Sequence, residues 1–203
     1  IGQLTDHGLK AFHGRMKEDY DYSVNVGRGA IFYEFRNFML GNLRIPKATP
    51  KSKPVVTFSL HSSTSTARNL GFEKQIAAVE AAFGDDIEVR TVQFSAMTAE
   101  EQVRATTESS ILITGAGGGA LTGMFLDRGS SILLFYDDTG KDASNSGQFD
   151  YPARLDWDYF DNCAYLRVSW IPIKGLDEPA ALESFVKMVA AEIEGQQLMR
   201  IDT

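Results

Sequence analysis

The sequence predicts an α/β protein built on a doubly wound, mainly parallel sheet with helices on both faces. Three observations lead there. After Pro54, short apolar runs rich in β-branched residues alternate with segments of helical spacing, and strand and helix exchange places four times. Runs such as Val55-Val-Thr-Phe-Ser59 and Ile111-Leu-Ile113 are apolar nearly throughout, as strands are when both faces are covered. Hydroxyls, an arginine, glycines and carboxylates gather in the loops that follow such runs. In open parallel sheets, ligands bind beyond the C-terminal strand ends, where the winding switches direction. A sheet of about five strands is expected, with Ile111–Ile113 in its interior.

Each element has its own justification. Ala30 to Leu40 places Ile31, Phe35, Phe38 and Met39 on one helical face. Ile45-Pro-Lys-Ala-Thr-Pro-Lys-Ser-Lys-Pro54 holds three prolines and three lysines, cannot continue a helix or a central strand, and reads as a linker. The chain is therefore divided near residue 50, with residues 1–50 as the remnant of a preceding domain and its linker, and residues 51–203 as the α/β domain. Val55–Ser59 opens that domain as a buried strand. Phe72, Ile76, Val79 and Phe83 recur at helical spacing, and Ile87 to Phe94 alternates as a strand does. Thr98-Ala-Glu-Glu101 is a capping box opening a helix that runs to about Thr107. Ile111–Ile113 is the next strand, Leu121 to Leu126 a short helix, Ile132–Tyr136 a strand, and residues 137–150 a loop. Ala164 to Trp170 alternates as the last strand. Asp177-Glu-Pro179 then starts a closing helix with Leu182, Phe185, Val186, Val189 and Ile193 on its apolar face.

Composition narrows the function classes. The 203 residues carry 20 Lys+Arg against 27 Asp+Glu, a net charge of −7 that disfavours a nucleic-acid partner. No apolar stretch approaches the roughly 20 residues of a spanning helix, so no membrane segment is expected in this chain. A single cysteine, Cys163, excludes an internal disulfide framework and reads as a small core residue, and three histidines leave little material for a zinc site. The chain begins at Ile1 and no signal peptide can be read, so it is taken as a piece of a longer protein.

Three loops are marked. Leu60-His-Ser-Ser-Thr-Ser-Thr-Ala-Arg-Asn69 sets five hydroxyl residues and an arginine directly after a buried strand, donors suited to phosphate oxygens unless the loop is simply solvated. His61 at its start could be a ligand, a base or a packed strand-end residue. Thr114-Gly-Ala-Gly-Gly-Gly-Ala-Leu-Thr-Gly123 is half glycine, with a helix starting inside it. Glycine lets backbone N–H groups approach a diphosphate, the helix start adds its positive end, and the ordinary alternative is close helix-on-strand packing. Tyr136-Asp-Asp-Thr-Gly140 offers two carboxylates for ribose hydroxyls or a metal, or else a capped turn. Asp19-Tyr-Asp21 has the form of an Asp-X-Asp metal motif, a triplet common by chance, and Trp157 could stack on an acceptor or pack at an edge.

The glycine run also has the form of a short-chain dehydrogenase opening, with Asp137 and Asp138 about 20 residues on. Against NAD(P) binding, two strand–helix units precede the run, its spacing to the next glycine is short, and no Tyr-X-X-X-Lys follows.

Taken as an ordered set, Thr66-Ala-Arg68, Glu101-Gln-Val103, Ile111-Leu-Ile-Thr-Gly-Ala-Gly-Gly-Gly119 and Phe125-Leu-Asp-Arg-Gly-Ser130 resemble the catalytic region of glycosyltransferase family 61, over Val55 to Tyr136. Two positions depart from the family pattern: Ala116 stands where its glycine turn carries a histidine, and Asp127 where it carries a proline. The resemblance implies the Rossmann-like C-terminal half of a two-domain, GT-B-type enzyme. Such an enzyme moves a sugar from a nucleotide sugar, a UDP-sugar by expectation, to an acceptor hydroxyl of a glycan or glycoprotein with inversion. It implies a Golgi or secretory setting and no cofactor beyond the nucleotide-sugar co-substrate. Arg68, Ser62 and Ser63, the backbone N–H groups of Gly117, Gly118 and Gly119, and the Thr122 hydroxyl would hold the diphosphate, with Arg68 and the turn converging on it across about 50 residues of sequence. Fixed donors there stabilise the charge that develops on the leaving group, so the site needs no metal. The general base is assigned to no residue of this chain. A non-catalytic binding domain on the same fold is the alternative.

Overall fold

A computed structural model of the chain describes residues 28–46, 52–61, 69–136, 159–160 and 163–201. Their order is helix α1 (Arg28–Asn42), strand β1 (Val55–Ser59), α2 (Glu73–Phe83), β2 (Glu88–Val92), α3 (Ala99–Thr107), β3 (Ile111–Gly115), a 3-10 helix (Gly118–Phe125), β4 (Ser131–Tyr136), β5 (Arg167–Pro172) and α4 (Pro179–Ile201). The five strands form one sheet in the order β2-β1-β3-β4-β5, every pairing parallel. The expected doubly wound architecture is present, with Ile111–Ile113 in the middle strand.

Burial explains the sequence pattern strand by strand. All of β1 and β3, and β4 up to Phe135, are buried, because both faces are covered. The edges β2 and β5 are half-exposed and carry Glu88, Arg90 and Arg167, charges that discourage pairing with another chain. On one face Val56, Phe58, Ile111, Ile113, Leu133 and Phe135 pack against Val79 of α2 and Phe185, Val189 and Ile193 of α4. On the other face Leu112, Ile132 and Leu134 pack with Phe32 of α1, Ala120 and Met124 of the 3-10 helix, and Tyr159 and Phe160. The crossovers β1-α2-β2 and β2-α3-β3 therefore lie on opposite faces, which puts the switch of winding between β1 and β3.

Local signals read from the sequence recur in the structure. Thr98 accepts the Glu101 N–H at 3.3 Å while the Glu101 carboxylate accepts the Thr98 N–H at 2.7 Å, which completes the capping box of α3. α4 begins at Pro179, where the acidic pair and proline predict it. The last strand lies further along than its alternation suggests, at Arg167–Pro172, because a turn closed by Leu166 N–H on the Cys163 carbonyl at 2.9 Å occupies the start of the run.

The inward face of α1 is a correction. Phe32, Arg36 and Leu40 are buried, Phe35 is half-buried, and Ile31 and Phe38 stand 64% and 63% exposed. Arg36 sits at the centre of this stripe, 1% exposed. It donates to the Phe125 carbonyl at 3.2 Å and to Asp127 at 3.3 Å, with its guanidinium 5.7 Å from the centre of the Tyr33 ring. An arginine reads as a surface residue in a hydrophobic pattern, and that displaced the expected face by one residue. Leu40 and Ile45 continue the contact onto Val103 of α3.

Candidate site at the β1/β3 strand ends

Register brings two of the marked loops to one place. Ser59, the last residue of β1, is the partner of Thr114 in β3, so the hydroxyl loop and the glycine run leave from neighbouring strand ends at the switch point. Leu60 and His61 remain within the described residues. His61 takes a left-handed backbone (φ 47°), donates its N–H to the Leu70 carbonyl at 2.9 Å, and its Nδ1 lies 3.1 Å from Asn69 Oδ1. Phe72, also left-handed at φ 60°, closes the loop from the other side, its ring packed on Phe58 and Phe135. Ser62, Ser63 and Arg68 lie outside the described residues, as do Asp19 to Asp21, Asp137, Asp138 and Trp157.

The glycines of the run have separate duties. Ala116 continues the sheet, its N–H on the Phe135 carbonyl at 2.8 Å, and its side chain is fully buried. Gly117 has φ 142°, a backbone that L side chains rarely adopt, so glycine is required by conformation. Gly123 is required by packing: a Cβ there would stand 2.5 Å from Ile132 Cδ1 and 3.3 Å from Phe160. Gly118 is different. Its φ is not positive, a Cβ built on it meets nothing within 4 Å, and the residue is exposed. Nothing among the described residues demands a glycine at Gly118.

Gly118 and Gly119 open the 3-10 helix, whose first closing bond is Ala120 N–H to the Gly117 carbonyl at 2.9 Å. Their own N–H groups precede that ladder and have no acceptor within it. Thr122, the remaining predicted contact, donates its hydroxyl to the Gly119 carbonyl at 2.8 Å, which braces the turn and leaves its oxygen lone pairs to accept. A hydroxyl so engaged gives its proton to a phosphate only by breaking that brace.

The helix is held from behind. Tyr165 donates to the Met124 carbonyl at 2.5 Å, Tyr159 lies 2.6 Å from the Met124 sulfur, and the Gly129 N–H reaches the Tyr165 carbonyl at 2.8 Å. Burial pushes both phenols above their ordinary range and raises the Cys163 thiol to about 12. These groups stay neutral, and Cys163 is an inert core residue, as its sequence context predicts. The turn thus has a rigid base and an open leading end.

No protein-family model matches the chain, and no curated protein does.

One residue beside these loops escapes sequence reasoning altogether. Ser59 is fully buried, and its hydroxyl is the one buried side-chain polar atom with no hydrogen-bond partner among the described residues. Within Val55–Ser59 it reads as the polar end of a strand, and only the register shows that it lies beside Thr114 at the switch point.

Proposed function

We propose that this chain is the donor-binding half of an inverting glycosyltransferase that uses a nucleotide sugar, with a UDP-sugar as the expected donor. The observation that carries the reading is Gly118, a glycine with no conformational or steric reason among the described residues to be one, at the leading end of a turn that follows the switch-point strand. A bare backbone there lets a diphosphate approach N–H groups that the 3-10 ladder leaves free. In this proposal Gly117, Gly118 and Gly119 cradle the diphosphate, Ser62 and Ser63 donate to it, and Arg68 neutralises it. Developing charge on the leaving diphosphate is met by donors already in place. The acceptor would be a glycan or glycoprotein hydroxyl, and GT-B pairing with a second domain, together with a secretory setting, belongs to the same proposal.

A second reading is a non-catalytic nucleotide-sugar-binding domain. Ala116 favours it: the position that carries a histidine in the resembling family holds a methyl group with no exposed surface, so the site has no imidazole there.

A thermal-shift panel tests the binding common to both. UDP or a UDP-sugar at a hundred times its dissociation constant stabilises the folded chain by about 2.7 kcal/mol, and NAD(P) should not. Stabilisation by NAD(P) alone would transfer the site to a dinucleotide. Sugar transfer by the full-length protein separates the enzyme from the binding domain.

A further inference from the structure

We infer that the buried hydroxyl of Ser59 is the innermost hydrogen-bond donor to a phosphate oxygen bound between the β1 and β3 strand ends, reached directly or through one water. The inference rests on the anion-binding reading of the glycine turn and adds a contact residue to it.

Other buried hydroxyls among the described residues are bonded within the fold. Thr57 and Ser109 bond each other at 2.6 Å, Thr106 donates to the Gln102 carbonyl and Thr107 to the Val103 carbonyl, each at 2.8 Å. Ser110 accepts the Val55 N–H at 3.2 Å, and Ser131 donates to the Glu192 carboxylate. Thr114, beside Ser59 in register, donates to the Gly115 carbonyl at 3.2 Å. Each of these has a partner, as buried polar groups do when leaving one unmade costs about 1–3 kcal/mol. Ser59 is the exception. An alanine would fill the same space without that cost, so the described residues give no reason for the hydroxyl.

Its position gives one. Side chains alternate along a strand. Val56 and Phe58 belong to the cluster under α2 and α4, so Ser59 falls on the opposite face. Ile111 and Ile113 share that first cluster, so Thr114 falls on the same face as Ser59, and the two are register partners. That face carries the 3-10 helix, whose Ala120 and Met124 pack in the cluster with Leu112. The unpartnered hydroxyl therefore sits at the C-terminal strand end, on the side of the sheet where Gly118 and Gly119 begin the helix with N–H groups that precede its ladder. A water there would compete with a phosphate oxygen, and a bridging water leaves the hydrogen bond with the ligand intact. An orphan hydroxyl retained at a ligand crevice is the pattern of a residue kept for binding at the expense of stability.

The test titrates the 203-residue chain and its Ser59→Ala variant with inorganic pyrophosphate and with UDP by calorimetry, beside the melting temperature of each protein without ligand. The variant is expected to bind both anions about tenfold more weakly, the ~1.4 kcal/mol of one lost hydrogen bond to a charged group. Its ligand-free melting temperature is expected to hold or to rise by roughly 2–4 °C, the scale of one relieved kcal/mol in a chain of this size. Equal affinities for parent and variant overturn the inference. A ligand-free melting temperature lowered by several degrees also overturns it, because the hydroxyl then has a structural partner. Pyrophosphate binding that depends on Ser59, with UDP binding no tighter, supports the inference and removes the nucleotide-sugar reading. Failure of the parent to bind either anion overturns both.

Discussion

Gly118→Ala and Gly123→Ala separate a glycine kept for a ligand from one kept for packing. At Gly123 the new Cβ would lie 2.5 Å from Ile132 Cδ1 and 3.3 Å from Phe160 Cε1, and both side chains are themselves buried. Overpacking of this kind costs about 1–3 kcal/mol, or roughly 2–12 °C of melting temperature for a chain of this length. At Gly118 the methyl enters open space on a backbone whose φ an alanine tolerates. Reduced freedom of the unfolded chain then makes the change neutral or stabilising by about 0.4–1 kcal/mol. Binding should reverse the order. A methyl on the leading end of the turn holds a diphosphate away from the N–H groups, and losing one charge-assisted bond costs about 1.5–3 kcal/mol, tenfold to a hundredfold in affinity. The assay is UDP titration and thermal melting of both variants beside the parent. Gly118→Ala that binds as well as the parent refutes the cradle, since the position would then need its glycine for nothing.

Arg68→Ala should weaken UDP binding by about 2 kcal/mol, and Arg68→Lys should restore only part because an ammonium lacks the bidentate fork; calorimetry on both variants checks this. Arg36→Ala should cost about 3 kcal/mol in denaturant unfolding, since it empties a buried position and removes the donor to the Phe125 carbonyl and Asp127. Cys163 should resist iodoacetamide in the native chain at pH 8 and react once the chain is unfolded. Its thiol is raised from 9.0 to about 12 by burial, so the unfolded state loses that proton first: the stability is complete below pH 9 and is lost as pH rises toward 12. Alkaline melting curves of Cys163→Ala should be less steep than those of the parent.

The architecture was legible because strands covered on both faces leave apolar runs that no other element explains, and because the caps and prolines at Thr98 and Pro179 punctuate the helices between them. The failures have physical causes. The buried stripe of α1 passes through Arg36, whose burial depends on a carbonyl and a carboxylate about 90 residues away, and no local pattern holds that information. The glycine run was legible as a feature and illegible as a division of labour. Gly117, Gly118 and Gly123 look alike in sequence and differ in φ and in what stands opposite the missing Cβ. Ser59 was invisible for a related reason, since a hydroxyl's lack of a partner is a property of its surroundings.

The electrostatics of the site decide how its parts must cooperate. A helix start supplies about half a positive charge, worth roughly 0.3–1 kcal/mol near the surface. The 3-10 helix behind this turn spans eight residues, so its field is at the lower end of that range. The chain as a whole carries −7, a field that opposes an approaching diphosphate. In the proposed site the turn, Ser59 and the loop hydroxyls would orient such a ligand, but neutral donors do not compensate several negative charges. The binding reading therefore requires a cation on the neighbouring strand end, and the loop after β1 contains one, Arg68. This makes a prediction about salt that neutral donors alone do not make. Affinity for UDP should fall as ionic strength rises in the parent, and much less so in Arg68→Ala, because screening removes what the guanidinium contributes. A parent affinity indifferent to salt would mean that the turn and its hydroxyls hold something uncharged.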